Sequence, residues 1–221
     1  MKKLTWLVLL LAFAVTGCHH RMRNEVTGSG KRVVQKRDIA AFTSLSTEGA
    51  FSVEVTCQKE PSLEIEGDDN VLEFVTAEIG NGVLRIRNRK NYSVDEPVKL
   101  KITVPNLEGL SVSGAGTFEI KGMNNEKFEI DSEGAPSITV SGTTRMVDID
   151  TSGAAKIDTQ KLRAARAVVE SNGVSKVDID VSERLDVTVS GPSSVTYRGD
   201  PVVNKTINGP GKVERRGGEG A

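Results

Sequence analysis

The feature that most constrains the fold is a glycine that returns at intervals of roughly 18 to 20 residues between Leu110 and Val213, the period of an internal repeat. The repeated glycines are Gly114, Gly134, Gly153, Gly173, Gly191 and Gly209. An apolar residue follows each of them four positions later, and an apolar residue precedes each by four positions, with Lys205 as the one exception. Such a repeat predicts a stack of similar units, each of which buries its apolar face on the next.

Within each unit, apolar and polar residues alternate on both sides of the glycine. The segments 128–131 and 147–150, with the sequences FEID and VDID, show this period of two. Such alternation predicts strands with one buried face, and a Ser-Gly corner fits a sharp bend because glycine accepts positive φ. Coils of this size, stacked about 4.8 Å apart, make a parallel β-helix or β-solenoid. The predicted fold class is therefore all-β, and an up-and-down barrel remains the alternative.

The segment 1–17 has the character of an export signal. Lys2 and Lys3 precede an apolar run from Leu4 to Val15 that is too short to span a membrane. The run ends at 15–18, VTGC, which resembles the lipobox of bacterial lipoproteins. We predict a lipoprotein signal peptide over 1–17 and acylation of Cys18, which would anchor the chain to a membrane. A plain secretory signal is the alternative.

The remaining chain divides into three parts. Residues 18–30 are polar and aperiodic and are predicted to be a flexible tether. Residues 31–217 form the predicted solenoid domain, with one short helix at roughly 70–78 that covers an open end of the stack, and a hairpin at Asn81-Gly82. Residues 218–221 are predicted to be a disordered tail.

The net charge and the cysteine count restrict the possible partners and the possible disulfides. The formal net charge is −1, which argues against nucleic acid as a partner. If Cys18 is acylated, Cys57 is the one remaining cysteine, so no internal disulfide forms. Cys57 is in phase with Val53 and Val55 and is predicted to be a small buried residue.

Several segments resemble one known family. They are FSVEV at 51–55, LEI at 63–65, NGVLRI at 81–86 and VPNLEGLSVSGAG at 104–116, followed by the later Ser-Gly corners. The sequence is similar to the putative auto-transporter adhesin, head GIN domain family. The resemblance implies a β-solenoid protein exported to the bacterial envelope, often as a lipoprotein, and brings no catalytic residues with it. The corners at 172–173 and 208–211 depart from the Ser-Gly-Ala-Gly pattern but keep the glycine.

Acidic residues before the glycine corners are predicted to form a ladder on the outward strand face. One column contains Glu129, Asp148 and Asp186, and a second contains Asp131, Asp150 and Glu170. Like charges about 5 Å apart repel, so a carboxyl pKa rises or a cation bridges them. The ladder is interpreted as a solvated acidic face, as a low-affinity Ca²⁺ site, or as the carboxylate pair of a glycan-cleaving enzyme. No basic side chain is expected beside these acids, and no cofactor is predicted.

Two main hypotheses for the function follow. The first is a non-enzymatic, lipid-anchored solenoid of the bacterial envelope, located at the outer membrane on its periplasmic or surface face, that binds an unknown glycan or protein. The second is a polysaccharide lyase or hydrolase that uses the acidic ladder. A passive structural spacer is a third reading. A groove that holds an acid pair and a basic group would favour the enzyme.

Overall fold

A computed structural model describes residues 25–217, so the predicted signal peptide, Cys18 and residues 218–221 lie outside the described part. The described part contains fourteen strands and one helix. The strands are β1 Val26–Thr27, β2 Arg32–Arg37, β3 Ser44–Cys57, β4 Ser62–Asp68, β5 Val75–Gly80, β6 Val83–Asn88, β7 Tyr92–Ser93, β8 Val98–Val104, β9 Gly109–Gly153, β10 Lys156–Gly173, β11 Lys176–Ser190, β12 Ser194–Arg198, β13 Val202–Asn208 and β14 Lys212–Arg215. The helix, α1, spans Asp69–Leu72.

The sheet that dominates the molecule is open, so the barrel alternative is wrong for this chain. Nine of its twelve strands follow the order β14-β12-β11-β10-β9-β3-β8-β4-β2. Of the other three, β13 pairs with β11, and β6 joins β3 to β5. A separate two-stranded sheet joins β1 to β7. Within residues 25–217, no helix has the length and apolar character to cross a membrane.

Pairing between strands is parallel throughout the glycine repeats. Strands β9, β10, β11 and β12 to β14 pair in parallel, and Ile149, Val169 and Val187 are register partners. These residues are 0 to 3% exposed, as is Ile130 at the equivalent position one repeat earlier. The repeated corner glycines all have φ between 99° and 150°, the region that favours glycine. The repeat therefore places its aliphatic residues in one continuous buried row.

The N-terminal part differs from the parallel arrangement expected for the whole domain. Strand β4 pairs antiparallel with both β2 and β8, and β5 pairs antiparallel with β6. The sheet is therefore mixed. The β5–β6 hairpin turns at Asn81 and Gly82, whose φ values of 54° and 75° suit a tight two-residue turn. Side-chain alternation has the same period in parallel and antiparallel strands, so the pattern did not distinguish them.

The helix predicted at roughly 70–78 is much shorter than expected. Only Asp69–Leu72 is helical, and Val75–Gly80 forms β5 instead. Tertiary pairing with β6 outweighs the apolar spacing of this segment, and its β-branched residues fit a strand. Arg37 joins the end of the helix to the start of β5, because its guanidinium donates to the carbonyl oxygens of Leu72 at 3.4 Å and Val75 at 2.8 Å.

Candidate functional site

Two outward faces of the repeats carry columns of polar side chains. The first, here called the acidic face, consists of the outward residues that precede the corner glycines. The second, called the basic–hydroxyl face, consists of the outward residues that follow them. Because the parallel strands stay in register, residues at one position of successive repeats form columns across the strands.

The acidic face brings some of the predicted carboxylates together and separates others. Asp150 and Glu170 are register partners on neighbouring strands. Asp148 pairs with Val168, which in turn pairs with Asp186, so an apolar residue separates the two acids of that column. Glu129 and Asp131 occupy the equivalent positions before Gly134, one repeat earlier.

Basic side chains enter this face, contrary to expectation. Lys127 forms an ion pair with Glu129, and Arg184 binds Asp186 through two hydrogen bonds of 2.6 and 2.9 Å. Each basic residue lies two positions before its acid, so both side chains project from the same side of one strand. That i, i+2 spacing is visible in the sequence and is the signal that could have predicted these pairs.

The two acids of the interrupted column have opposite electrostatic environments. Burial raises the pKa of Asp148, and the nearby carboxylates of Glu129 and Asp150 add to the rise while Lys127 opposes it. Hydrogen bonds from Arg184 and from Asn204, at 2.8 Å, lower the pKa of Asp186. Within residues 25–217, no group of three or more His, Cys, Asp or Glu side chains is arranged to hold a metal ion.

A polar cleft of about 650 Å³ lies at one end of the acidic face, and the sequence did not indicate it. It lies between the segment before β9 and the part of β9 that leads to Gly134. The lining residues are Ser44, Asn106, Glu108, Asn124, Asn125, Glu126, Lys127 and Glu129. Every carboxylate in it has a partner. Asn106 donates to Glu108 at 2.9 Å, Arg145 lies 3.5 Å from Glu126, and Lys127 contacts Glu129.

The basic–hydroxyl face has a different composition. A shallow depression of about 330 Å³ lies across β8, β3 and β9, and hydroxyl side chains of Ser52, Thr117, Ser137 and Thr139 line it. Charged residues also line it: Lys99 and Lys101 from β8, Glu54 from β3 and Glu119 from β9. Lys121 pairs with both of these glutamates, at 3.1 and 3.0 Å.

The match to a family model decides the relationship of this chain to known proteins. The model described as putative auto-transporter adhesin, head GIN domain matches residues 41–201. The chain belongs to that family. The resemblance expected from the sequence is thereby confirmed.

Solved structures of similar proteins agree with the fold. A putative adhesin from Bacteroides fragilis has a TM-score of 0.70 at 21% identity, over 86% of this chain and 100% of that one. A putative lipid binding protein from Parabacteroides distasonis has a TM-score of 0.54 at 18% identity, over 87% and 100%. A putative adhesin from Parabacteroides merdae has a TM-score of 0.54 at 19% identity, over 87% and 99%. No curated protein matches the chain.

Proposed function

We propose that this head GIN domain protein is a non-enzymatic, lipid-anchored protein of the bacterial outer membrane that binds a glycan or protein through its outward strand faces. Membership of a family described as adhesins supports an envelope-associated binding role. The observation that carries the proposal is the register of the repeats, which turns single polar residues into extended columns. A rigid, regular polar face of this kind suits a ligand that is itself extended and repetitive.

The proposed shape is a β-solenoid in which each repeat makes one turn of the chain. Its support is the pairing of neighbouring repeats, for example Lys156 with Ser137 on one side and with Lys176 on the other. The antiparallel strands β2 and β4 and the short helix α1 would cover the N-terminal end of the stack, where uncovered apolar residues and a free strand edge would otherwise be exposed.

Membrane attachment is proposed to use Cys18, which follows the apolar run and the small residues of the lipobox-like segment. Full-length protein and a Cys18→Ser variant, expressed in a Gram-negative host, would be labelled with a palmitate analogue and separated into membrane and soluble fractions. We expect label and membrane association for the native chain alone. Label on both proteins, or on neither, would rule out this anchor.

The binding role can be tested with cells that carry the full-length protein at their envelope. Such cells and cells that lack it would be compared for retention on immobilised glycans and on envelope fractions. Retention is expected only for the cells that carry the protein, and a bound glycan should be recovered at its original length because no cleavage is proposed. Equal retention of the two cell types would instead favour the passive spacer.

The polar cleft makes glycan cleavage the second candidate, because it combines Glu108, Glu126 and Glu129 with Lys127. A general acid must stay protonated near neutral pH, which needs apolar surroundings. These carboxylates instead have hydrogen-bonding or cationic partners, and the side chains of Glu126 and Glu129 are 84% and 58% exposed. New reducing ends from a glycan, abolished by Glu126→Gln or Glu108→Gln, would establish the enzyme and overturn the binding proposal.

A further inference from the structure

One column on the basic–hydroxyl face contains only lysine and hydroxyl side chains. It crosses the strands three positions after the corner glycines, and we call it the lysine–hydroxyl column. Its members, in spatial order, are Lys99, Ser52, Thr117, Ser137, Lys156, Lys176, Ser194 and Lys212. No carboxylate interrupts these eight positions, although the neighbouring column contains several. Beyond Lys99 the column continues to Glu66 on β4, and Lys99 lies 3.9 Å from Glu66 and 3.6 Å from Glu96.

The side of the column away from the corners is acidic, but its charges are largely compensated. Asp178 lies 3.4 Å from Lys176 and 3.2 Å from Arg216, and Glu214 lies 3.0 Å from Lys212. Asp158 accepts a hydrogen bond from the backbone N–H of the residue two positions later, at 3.0 Å. The Lys212–Glu214 pair is exposed, and such pairs contribute little free energy. The carboxylate of Asp178 is buried, but Arg216 remains its partner if Lys176 turns to a ligand.

The side of the column toward the corners is neutral. The residue after each corner glycine is small or apolar and exposed in successive repeats, and these residues form a ridge parallel to the column. The ridge consists of Ala115, Ala135, Ala154, Val174, Pro192 and Pro210. Val174 is 63% exposed, which makes it one of the most exposed large apolar residues among those described. Cationic groups therefore lie beside a strip of apolar surface.

Lys156 is the lysine of the column most available to a ligand. Its side chain is exposed, and within residues 25–217 it has no carboxylate at ion-pair distance. Its register partners are Ser137 and Lys176, so an ammonium pair lies next to the hydroxyl-lined depression at Ser137.

We infer that the lysine–hydroxyl column binds a linear, uronate-rich polysaccharide that lies across the strands. Carboxylates of the polymer would pair with the lysines, ring hydroxyls would hydrogen-bond to the serine and threonine side chains, and the C–H faces of the rings would pack on the corner ridge. Neighbouring members are about 4.8 Å apart, which is close to the length of one sugar ring, so a regular polymer can repeat its contacts from strand to strand. The inference rests on the binding role proposed above and specifies its ligand class.

The test uses the full-length protein in detergent micelles and immobilised oligogalacturonate as the probe. The variant carries Lys156→Ser and Lys176→Ser, which places at both positions the residue that Ser137 and Ser194 already provide in the column. Charge-assisted hydrogen bonds lost at both sites should weaken binding by on the order of tenfold or more at low salt. Lys156→Ser alone should give part of this loss of binding. Because this substitution breaks no ion pair, the loss cannot come from a folding defect caused by removing Lys176 from Asp178. Binding by the native protein should also weaken as salt is added, because salt screens exposed charges.

A matched control carries Lys161→Ser and Arg163→Ser, which remove the same charge from exposed positions of β10 that lie outside both the column and the polar cleft. Its binding should equal that of the native protein. Equal binding by the column variant, equal loss in both variants, or preference for a neutral glucan or for anionic lipid vesicles would overturn the inference. If the cells described above bind some other glycan or protein while oligogalacturonate does not bind, the inference fails and the proposed binding role stands. If they bind nothing, both fail.

Discussion

Gly49 and Gly114 are register partners on β3 and β9, although several strands separate them along the chain. The two backbones approach so closely that a Cβ added to Gly114 would lie 2.6 Å from the carbonyl oxygen of Gly49. Gly114 also has φ of 124°, where a side chain is strained. The glycine at this corner is thus required both by the bend and by the neighbouring strand.

The first prediction concerns this contact. Gly114→Ala should destabilise the domain by about 3 kcal/mol, because a backbone clash adds to the strain of the positive φ. Urea unfolding followed by circular dichroism measures the change. Gly217→Ala is the control, since an added Cβ there meets no atom within 4 Å, and it should change stability by less than about 0.5 kcal/mol. Equal stability of the two variants would contradict the close approach.

The pairing of Gly49 with Gly114 also shows which part of the fold the glycine repeat predicts and which part it does not. Gly49 follows the glycine-plus-four rule with Val53, so the repeat could be extended to it. The segment between the two glycines could not be placed, because alternation gives the buried face of a strand but neither its partner nor its direction. In the structure, strand β4 lies antiparallel between β2 and β8. No local sequence pattern indicated this direction or these partners.

The candidate site was predictable to a similar degree. Asp148 and Asp186 each lie five residues before a corner glycine, which predicts that they share one column. Val168 occupies the same position in the repeat between them, so the two acids are not neighbours. The ion pairs of Lys127 and Arg184 follow from a spacing of two along a strand. The polar cleft depends on the segment before β9 folding against the second repeat, a long-range contact outside the reach of a local pattern.

The second prediction is that Asp148→Asn and Asp186→Asn change stability in opposite directions at neutral pH. The pKa of Asp148 is raised by burial, so its stabilising contribution exists below the ordinary value of 3.8 and is lost as pH rises through its folded pKa. Asn at position 148 should therefore stabilise the neutral-pH protein. The pKa of Asp186 is lowered by Arg184 and Asn204, so its contribution exists at neutral pH and is lost as pH falls through its folded pKa.

Chemical denaturation at neutral pH and well below the ordinary carboxyl pKa of 3.8 would measure these differences. The advantage of Asp148→Asn and the deficit of Asp186→Asn should both shrink at the lower pH, where the native carboxyls become protonated. Glu170→Gln, an exposed position on the same face, is the control and should show little change at either pH. Destabilisation by both aspartate substitutions at neutral pH would contradict the burial cause assigned to Asp148.

The third prediction concerns the thiol of Cys57, which is 4% exposed and lies 3.4 Å from the sulfur of Met123. Burial raises its pKa to about 11, so very little thiolate is present at neutral pH. In a Cys18→Ser protein, where Cys57 is the one remaining cysteine, iodoacetamide should leave the native thiol unmodified and alkylate it in urea. Mass spectrometry measures both, and rapid alkylation of the native protein would contradict the buried placement.

The same shift gives Cys57 a defined effect on stability at alkaline pH. Because the folded state favours the neutral thiol, its contribution is complete below the ordinary pKa of 9.0 and is lost as pH rises toward about 11. The difference in unfolding free energy between Cys57→Ala and the parent should therefore narrow over this range. A difference that stays constant across it would mean that the thiol titrates alike in the folded and unfolded states.

The fourth prediction concerns Lys205, which stands in β13 where the earlier repeats have a buried apolar residue. It is the register partner of Val187, yet it is exposed. Among residues 25–217, β13 pairs only with β11, so its outer edge carries unpaired backbone groups. A charged residue at such an edge opposes pairing with a second chain. Lys205→Val should therefore cause concentration-dependent self-association, measured by sedimentation velocity.

The control for that variant is Lys161→Val, which removes the same charge and adds the same side chain at an exposed position of β10. This interior strand pairs with β9 at Lys161 and with β11 at Thr159 and Arg163 on either side of it. It should sediment as the parent protein does. If Lys161→Val associates as strongly as Lys205→Val, added surface apolarity alone is the cause. If neither associates, the unpaired edge of β13 is protected by something other than the lysine, such as the exposed polar residues Asn204 and Thr206 on either side of it.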